Sequence, residues 1–101
     1  SPDSLIGDDG LLEIKTKLPH LMIEVLDRDR FPLDHVKQCQ GQLWITERGW
    51  IDIAVYWPGF PLFIKRAWRD EKMISEIDSE VNRFVNDLDD VVEKIRKMGA
   101  A

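Results

Sequence analysis

Asp3 is followed ten residues later by Glu13-Ile14-Lys15. Two carboxylates and an ammonium are the groups with which a protein can hold a hard cation and act on a phosphate. On a strand, alternate side chains share a face, so Glu13 and Lys15 point the same way. Gly7-Asp8-Asp9-Gly10 lies between the two parts of the pattern, and Asp-Gly with a flanking glycine suits a tight hairpin. Pairing around that turn brings Asp3 beside Glu13. Carboxylates a few ångström apart repel unless a cation sits between them. Oxygen-only ligands on strands suit Mg²⁺ or Mn²⁺, with water completing the shell. The Lys15 ammonium would then orient an attacking water or stabilise charge on a phosphate. The alternative is an amphipathic surface hairpin with solvated charges, and a short D…ExK pattern by itself does not separate the two. The proline before Asp3 and the glycine-bounded spacer favour the site.

The elements that must position these residues can be read from periodicity and punctuation. Residues 1–6 and Leu11–Lys17 are expected as two strands. Residues 18–32, interrupted by Pro19 and Pro32, are expected as a loop with a short strand at Met22–Leu26. Pro32-Leu33-Asp34 should open a helix to Thr46, with Val36, Cys39, Leu43 and Trp44 on one face. Gly41 inside it either weakens the helix or admits another backbone. Trp50–Trp57 and Leu62–Trp68 are β-rich runs around Pro58-Gly59-Phe60-Pro61, a strand, a turn and a return strand. From Asp70 to Met98 the pattern becomes helical. Ile74, Ile77, Val81, Phe84, Leu88, Val91, Ile95 and Met98 form a heptad-like stripe, and Gly99 is the stop signal. The result is a mixed α/β domain.

With 101 residues the chain is long enough for one small domain, and its 44% apolar content with four tryptophans can supply a core. The net charge of −5 argues weakly against nucleic acid, but its distribution changes that reading. Residues 70–98 hold nine acids and five bases, whereas residues 1–69 hold ten and nine, with four acids in the first 13 residues. A cation there would leave the rest of that part basic. A single cysteine excludes an internal disulfide and a thiolate zinc site within one chain, and fits a reducing compartment. No apolar run is long enough to span a membrane.

Three segments together resemble a known family. Ser1-Pro2-Asp3-Ser4-Leu5-Ile6-Gly7, Asp9-Gly10-Leu11-Leu12-Glu13-Ile14-Lys15-Thr16 and Gln38-Cys39-Gln40-Gly41-Gln42-Leu43-Trp44 look like the phage lambda exonuclease (YqaJ-type) family of alkaline exonucleases, within the PD-(D/E)XK superfamily. The resemblance runs from residue 1 to about residue 75, and the last helix fits the family's C-terminal part. It implies a restriction-endonuclease-like mixed sheet with flanking helices. It implies that Asp3, Glu13 and the Ile14 carbonyl bind Mg²⁺ or Mn²⁺, that Lys15 is the catalytic lysine, and that Gln40 lies beside the site. The implied reaction is hydrolysis of double-stranded DNA from the 5′ end, by a homo-oligomer working with a single-strand annealing protein, in the cytoplasm of a bacterial host of phage or prophage. Ser4 departs from the family's usual glycine. The family's amino-terminal helices, which add a metal-site acid and the groove for the DNA end, do not appear, so the chain is expected to be a fragment or a split subunit. Two other functions fit the motif: a DNA-binding or oligomerisation module without turnover, and a superfamily endonuclease.

Several residues carry two readings. Gln38 and Gln40 are either solvated helix positions or, for Gln40 with Lys37 three residues before it, phosphate contacts. Lys65, Arg66 and Arg69 either grip the DNA backbone or blunt an edge strand. His20 reads more readily as an incidental loop residue than as a site group. Trp44, Trp50, Trp57 and Trp68 either stack bases or, as their helix and strand positions favour, pack in the core, and Cys39 reads as core. The C-terminal stripe either covers the chain's own sheet or forms a seam between chains.

Overall fold

The computed structural model describes residues 2–99; Ser1, expected to begin the first strand, lies outside the described residues. Strand β1 (Ser4–Ile6) and strand β2 (Gly10–Thr16) form the expected hairpin, with Ser4 opposite Leu12 and Ile6 opposite Gly10. Gly7 takes φ +57°, the left-handed turn conformation that glycine adopts without steric cost. The loop is fastened from outside. Arg48 donates to the carbonyls of Gly7 and Gly10, both at 2.9 Å, and the Gly49 amide donates to Asp9 Oδ1 at 2.8 Å.

After β2 the chain departs from the expected loop. Helix α1 (Pro19–Arg28) replaces the short strand foreseen at Met22–Leu26. Pro19 sits in the first turn, where its missing N–H is no loss and its fixed φ is already helical. Met22, Val25 and Leu26 follow at three- and four-residue spacing and turn inward. The helix ends at Asp29, which adopts the left-handed C-cap conformation. A short 3₁₀ turn (Leu33–His35) leads into helix α2 (Val36–Thr46), close to its expected bounds. Cys39 and Leu43 are fully buried, Val36 and Trp44 partly so. At Gly41 a Cβ would meet open space, so no backbone approaches there.

Strand β3 (Trp50–Tyr56) then pairs parallel with β2, placing Glu13 beside Ile53 and Lys15 beside Val55. Strand β4 (Phe63–Trp68) returns antiparallel, giving the order β1-β2-β3-β4. The sheet is mixed, as expected. A parallel neighbour needs a long crossover, which residues 17–49 supply with two helices. The alternation is visible on β2: Leu11 and Glu13 are buried while Ile14 and Thr16 are exposed. Met22, Ile53, Val55 and Phe63 form one buried cluster, flanked by Val25, Leu26, Phe31, Trp57 and Phe60.

The chain divides into two compact units, one up to Asp70 and the other from Glu71 onward. The second is helix α3 (Glu71–Gly99). Ile74 and Ile77 are buried, but Phe84, Leu88, Val91, Ile95 and Met98 of the same stripe are exposed.

Gly10 has a packing role. A Cβ there would collide with the indole ring of Trp50 on the neighbouring strand. Gly10→Ala is therefore expected to cost about 1–3 kcal/mol, the usual scale of overpacking, seen as a lower urea midpoint with an unchanged slope.

Candidate metal centre

The hairpin register brings the acidic residues together. Ser4 faces Leu12 and the Asp3 amide donates to the Leu12 carbonyl at 3.0 Å, so one step further along the same register sets Asp3 opposite Glu13. The Ile14 amide, between Glu13 and Lys15, donates to Asp3 Oδ2 at 2.7 Å. Within a strand the N–H and C=O of one residue project to the same side. The Ile14 carbonyl thus opens on the β1 side, where Asp3 lies. Asp3 is exposed, whereas Glu13 is 5% exposed.

Glu13 is held by two donors of its own chain. Lys15 Nζ lies 3.3 Å from Glu13 Oε1, and Gln42 Nε2 donates to Glu13 Oε2 at 2.9 Å. A buried carboxylate is costly without such partners, so the pair of donors is what allows Glu13 inside. Lys15 remains partly accessible, its side chain 27% exposed, with the ammonium end of a flexible stem at the rim.

The helix contributes a glutamine that the spacing did not single out. Gln40, expected beside the site, spends its amide elsewhere: Nε2 donates to the Trp68 carbonyl and Oε1 accepts from the Asp70 amide, both at 2.9 Å. It closes the end of β4. Gln42 is the glutamine in contact with Glu13. The available signal was the repeated glutamine at 38, 40 and 42. Two residues turn an α-helix through about 200°, so Gln40 and Gln42 must diverge.

His35 also belongs to this neighbourhood, through charge rather than contact. Burial pulls its pKa below the usual value, and the charges of Asp34, Lys17, Lys15 and Glu13 all reach it. Lys17 Nζ lies 3.0 Å from Asp34 Oδ2, and that hydrogen bond draws the Asp34 carboxyl below the ordinary range. His20 is exposed on α1.

The basic residues of β4 do not form one patch. Consecutive strand residues face opposite sides, so Lys65 and Arg66 diverge. Lys65 Nζ lies 2.9 Å from Asp29 Oδ1. Arg66 makes paired contacts with Asp52 at 2.8 and 3.1 Å, and its guanidinium lies 3.7 Å from the centre of the Trp50 ring. Arg69 donates to the Leu43 and Arg48 carbonyls near the end of α2. Lys37 is exposed on α2. Trp50 and Trp68 meet edge to face at 6.4 Å, but Trp68 is 63% exposed rather than core.

Asp3, Glu13 and the Ile14 carbonyl would offer a cation oxygen donors only, a chemistry that suits Mg²⁺ or Mn²⁺ better than a soft metal. Only two acidic side chains take part. Among the described residues no three His, Cys, Asp or Glu side chains are grouped to hold a metal. A cation held here would depend on backbone and water for the rest of its shell.

Comparison with solved structures supports the sequence resemblance. An alkaline exonuclease, LHK-Exo from Laribacter hongkongensis, superposes at a TM-score of 0.87 with 35% identity, over 99% of this chain and 54% of that one. LHK-Exo in complex with dAMP matches at 0.85 and 35%, over 99% and 53%. Over nearly its whole length the chain thus resembles an alkaline exonuclease, in keeping with the lambda exonuclease-like resemblance of its sequence. It spans about half the length of the exonuclease chains it matches. No family model matches the sequence, and no curated protein does. The restriction-endonuclease-like reading of the fold is thereby upheld. No helix among the described residues is long and apolar enough to cross a membrane.

Cys39 lies close enough to Glu13 for its charge to matter. Burial first, and then that carboxylate, push the thiol up to about 11. At pH 8 the thiolate fraction is then on the order of one in a thousand, and the side chain is fully buried. Iodoacetamide is expected to leave Cys39 unmodified in the native chain and to label it fully in urea, as read by mass spectrometry.

Proposed function

We propose that the chain is the metal-binding part of a Mg²⁺-dependent deoxyribonuclease acting on double-stranded DNA in the 5′ to 3′ direction, with Asp3, Glu13 and Lys15 at its centre. The observation that carries this is the convergence of Asp3 on the Glu13–Lys15 face of β2, with Lys15 Nζ at 3.3 Å from the buried carboxylate. The structural likeness supports the reaction class, since the similar structure is that of an alkaline exonuclease.

A Mg²⁺ or Mn²⁺ ion, when bound, would polarise the phosphoryl oxygen and lower the pKa of water. The chain's own residues account for the rest. Asp3 and Glu13 supply negative charge on one face of the hairpin. The fastening of the loop by Arg48 and Gly49 fixes the two strands in register, so that the carboxylates are set before a ligand arrives. Lys15 places a positive charge where negative charge develops on the phosphate, and Glu13 aims it. Gln42 holds the other oxygen of Glu13, which fixes the rotamer of that carboxylate.

A second reading, a DNA-binding module without turnover, is favoured by one observation: both oxygens of Glu13 already accept from donors of the chain. Nucleotide release from a 5′-phosphorylated duplex separates the two. The nuclease reading requires release in millimolar Mg²⁺ and none in EDTA. Duplex binding in Ca²⁺ with no release in Mg²⁺ would favour the binding module.

A further inference from the structure

The two oxygens of Glu13 are held by donors of different kinds. Lys15 Nζ, 3.3 Å from Oε1, ends a flexible stem whose side chain is 27% exposed, so it can swing away from the carboxylate. Gln42 cannot. It is 6% exposed and stands on α2 next to Leu43 and three residues from Cys39, both fully buried. Its Nε2 donates to Glu13 Oε2 at 2.9 Å. Turning the amide over would set its oxygen against the carboxylate. Held as it is, Gln42 Oε1 is buried and, among the described residues, meets no donor. A buried acceptor without a donor destabilises the fold, and an apolar side chain of the same size would avoid that cost. The arrangement is explained by Nε2 and its hold on Glu13.

That hold limits what the carboxylate can offer a cation. When Lys15 swings aside only Oε1 is released, while Oε2 stays committed to Gln42. Asp3 repeats the pattern, since its Oδ2 accepts from the Ile14 amide at 2.7 Å. Each carboxylate of the pair thus has one oxygen tied to an N–H of the chain. Cations differ in how they answer to this. Mg²⁺ demands a near-ideal octahedron, into which the two close-set oxygens of one carboxylate fit badly, and it keeps waters for its other positions. Ca²⁺ is larger, takes more oxygens and accepts both oxygens of one carboxylate. A carboxylate with one free oxygen therefore suits Mg²⁺ and leaves Ca²⁺ short of a ligand.

We propose that Gln42 sets the cation selectivity of the site: by keeping Oε2 of Glu13 it makes that carboxylate a one-oxygen ligand, which favours Mg²⁺ over Ca²⁺. Gln42 is a positioning residue and acts through Glu13. The inference rests on the metal centre of the nuclease reading and adds a selectivity that the reading by itself does not require.

The test reads cation affinity rather than turnover. The melting temperature of the chain is followed against Mg²⁺ and against Ca²⁺ at fixed ionic strength, and each dissociation constant is taken from the concentration dependence of the rise. The parent is expected to bind Mg²⁺ the more tightly. Gln42→Met keeps the length of the side chain and loses the donor, so Glu13 can turn both oxygens to a cation. The ratio of the Ca²⁺ to the Mg²⁺ dissociation constant is expected to fall about tenfold, the low end of what the hydrogen-bond partner of a metal ligand contributes. Gln42→Leu should do the same, and it replaces the first variant if circular dichroism shows that one misfolded. A general loosening of the site would weaken both cations alike and leave the ratio where it was. An unchanged ratio, or a parent that prefers Ca²⁺, overturns the role of Gln42 and leaves the metal centre standing. A parent whose melting temperature answers to neither cation overturns the metal centre itself, and this inference with it.

Discussion

Lys15→Ala is expected to slow duplex degradation by about a hundredfold or more, the effect of removing one preorganised electrostatic group. The ammonium lies 3.3 Å from Glu13 on the same face of β2 and remains partly open to solvent. Its charge counts most where negative charge develops, so the loss falls on turnover rather than on ground-state binding. Affinity for duplex, measured in Ca²⁺, should change less than about threefold, because many phosphate contacts share that task. Lys15→Arg tests the geometry, since a planar guanidinium does not occupy the place of a compact ammonium. Single-turnover rates under excess protein make the comparison. A Lys15→Ala chain that digests DNA as fast as the parent removes the lysine from the mechanism.

Glu13→Gln is expected to lose more, about a thousandfold in rate, because it deletes one of two charged oxygen donors. A bound divalent ion contributes several kcal/mol to such transition states, and each 1.4 kcal/mol is a factor of ten. The same change also costs stability. The amide must turn an N–H towards either Lys15 or Gln42, both of which now donate to the carboxylate. A lost hydrogen bond to a charged group is worth about 1.5–3 kcal/mol, and the partial exposure of Lys15 puts the expected loss at the lower end. Two readouts therefore separate: rate collapses while the urea midpoint falls modestly. Activity that follows stability alone, recovering when the variant is assayed at low temperature, would make Glu13 a structural residue.

The hairpin, the two later strands and the long helix were legible because each carries a strong local rule. Gly7 and Gly10 bound a turn, Trp50–Tyr56 alternates inside and outside, and the stripe of α3 keeps step over its whole length. Helix α1 was not legible as such. Pro19 read as a break when it is a first-turn residue, so the stretch was expected as a loop with a short strand at Met22–Leu26. The three- and four-residue spacing of Met22, Val25 and Leu26 was the correct signal, and tertiary burial decided in its favour. At the site, Asp3, Glu13 and Lys15 came from spacing along two paired strands, which a register converts directly into proximity. Gln42 and His35 came from the packing of other elements against β2, and no local rule specifies that. The basic residues of β4 looked like a cluster in sequence. Strand alternation and the acids opposite them dispersed it.

The central claim is that Asp3, Glu13 and the Ile14 carbonyl hold a divalent cation. Calorimetric titration of Mn²⁺ into the chain, paired with its melting temperature at millimolar Mn²⁺, tests this most directly and does not depend on turnover. One site per chain and a raised melting temperature are expected, since a ligand that binds only the native state stabilises it. Asp3→Asn should abolish both while leaving the metal-free melting temperature within a few degrees of the parent, because Asp3 is exposed and its oxygen can still accept from the Ile14 amide. A parent chain that neither binds Mn²⁺ nor melts higher in its presence contradicts the account.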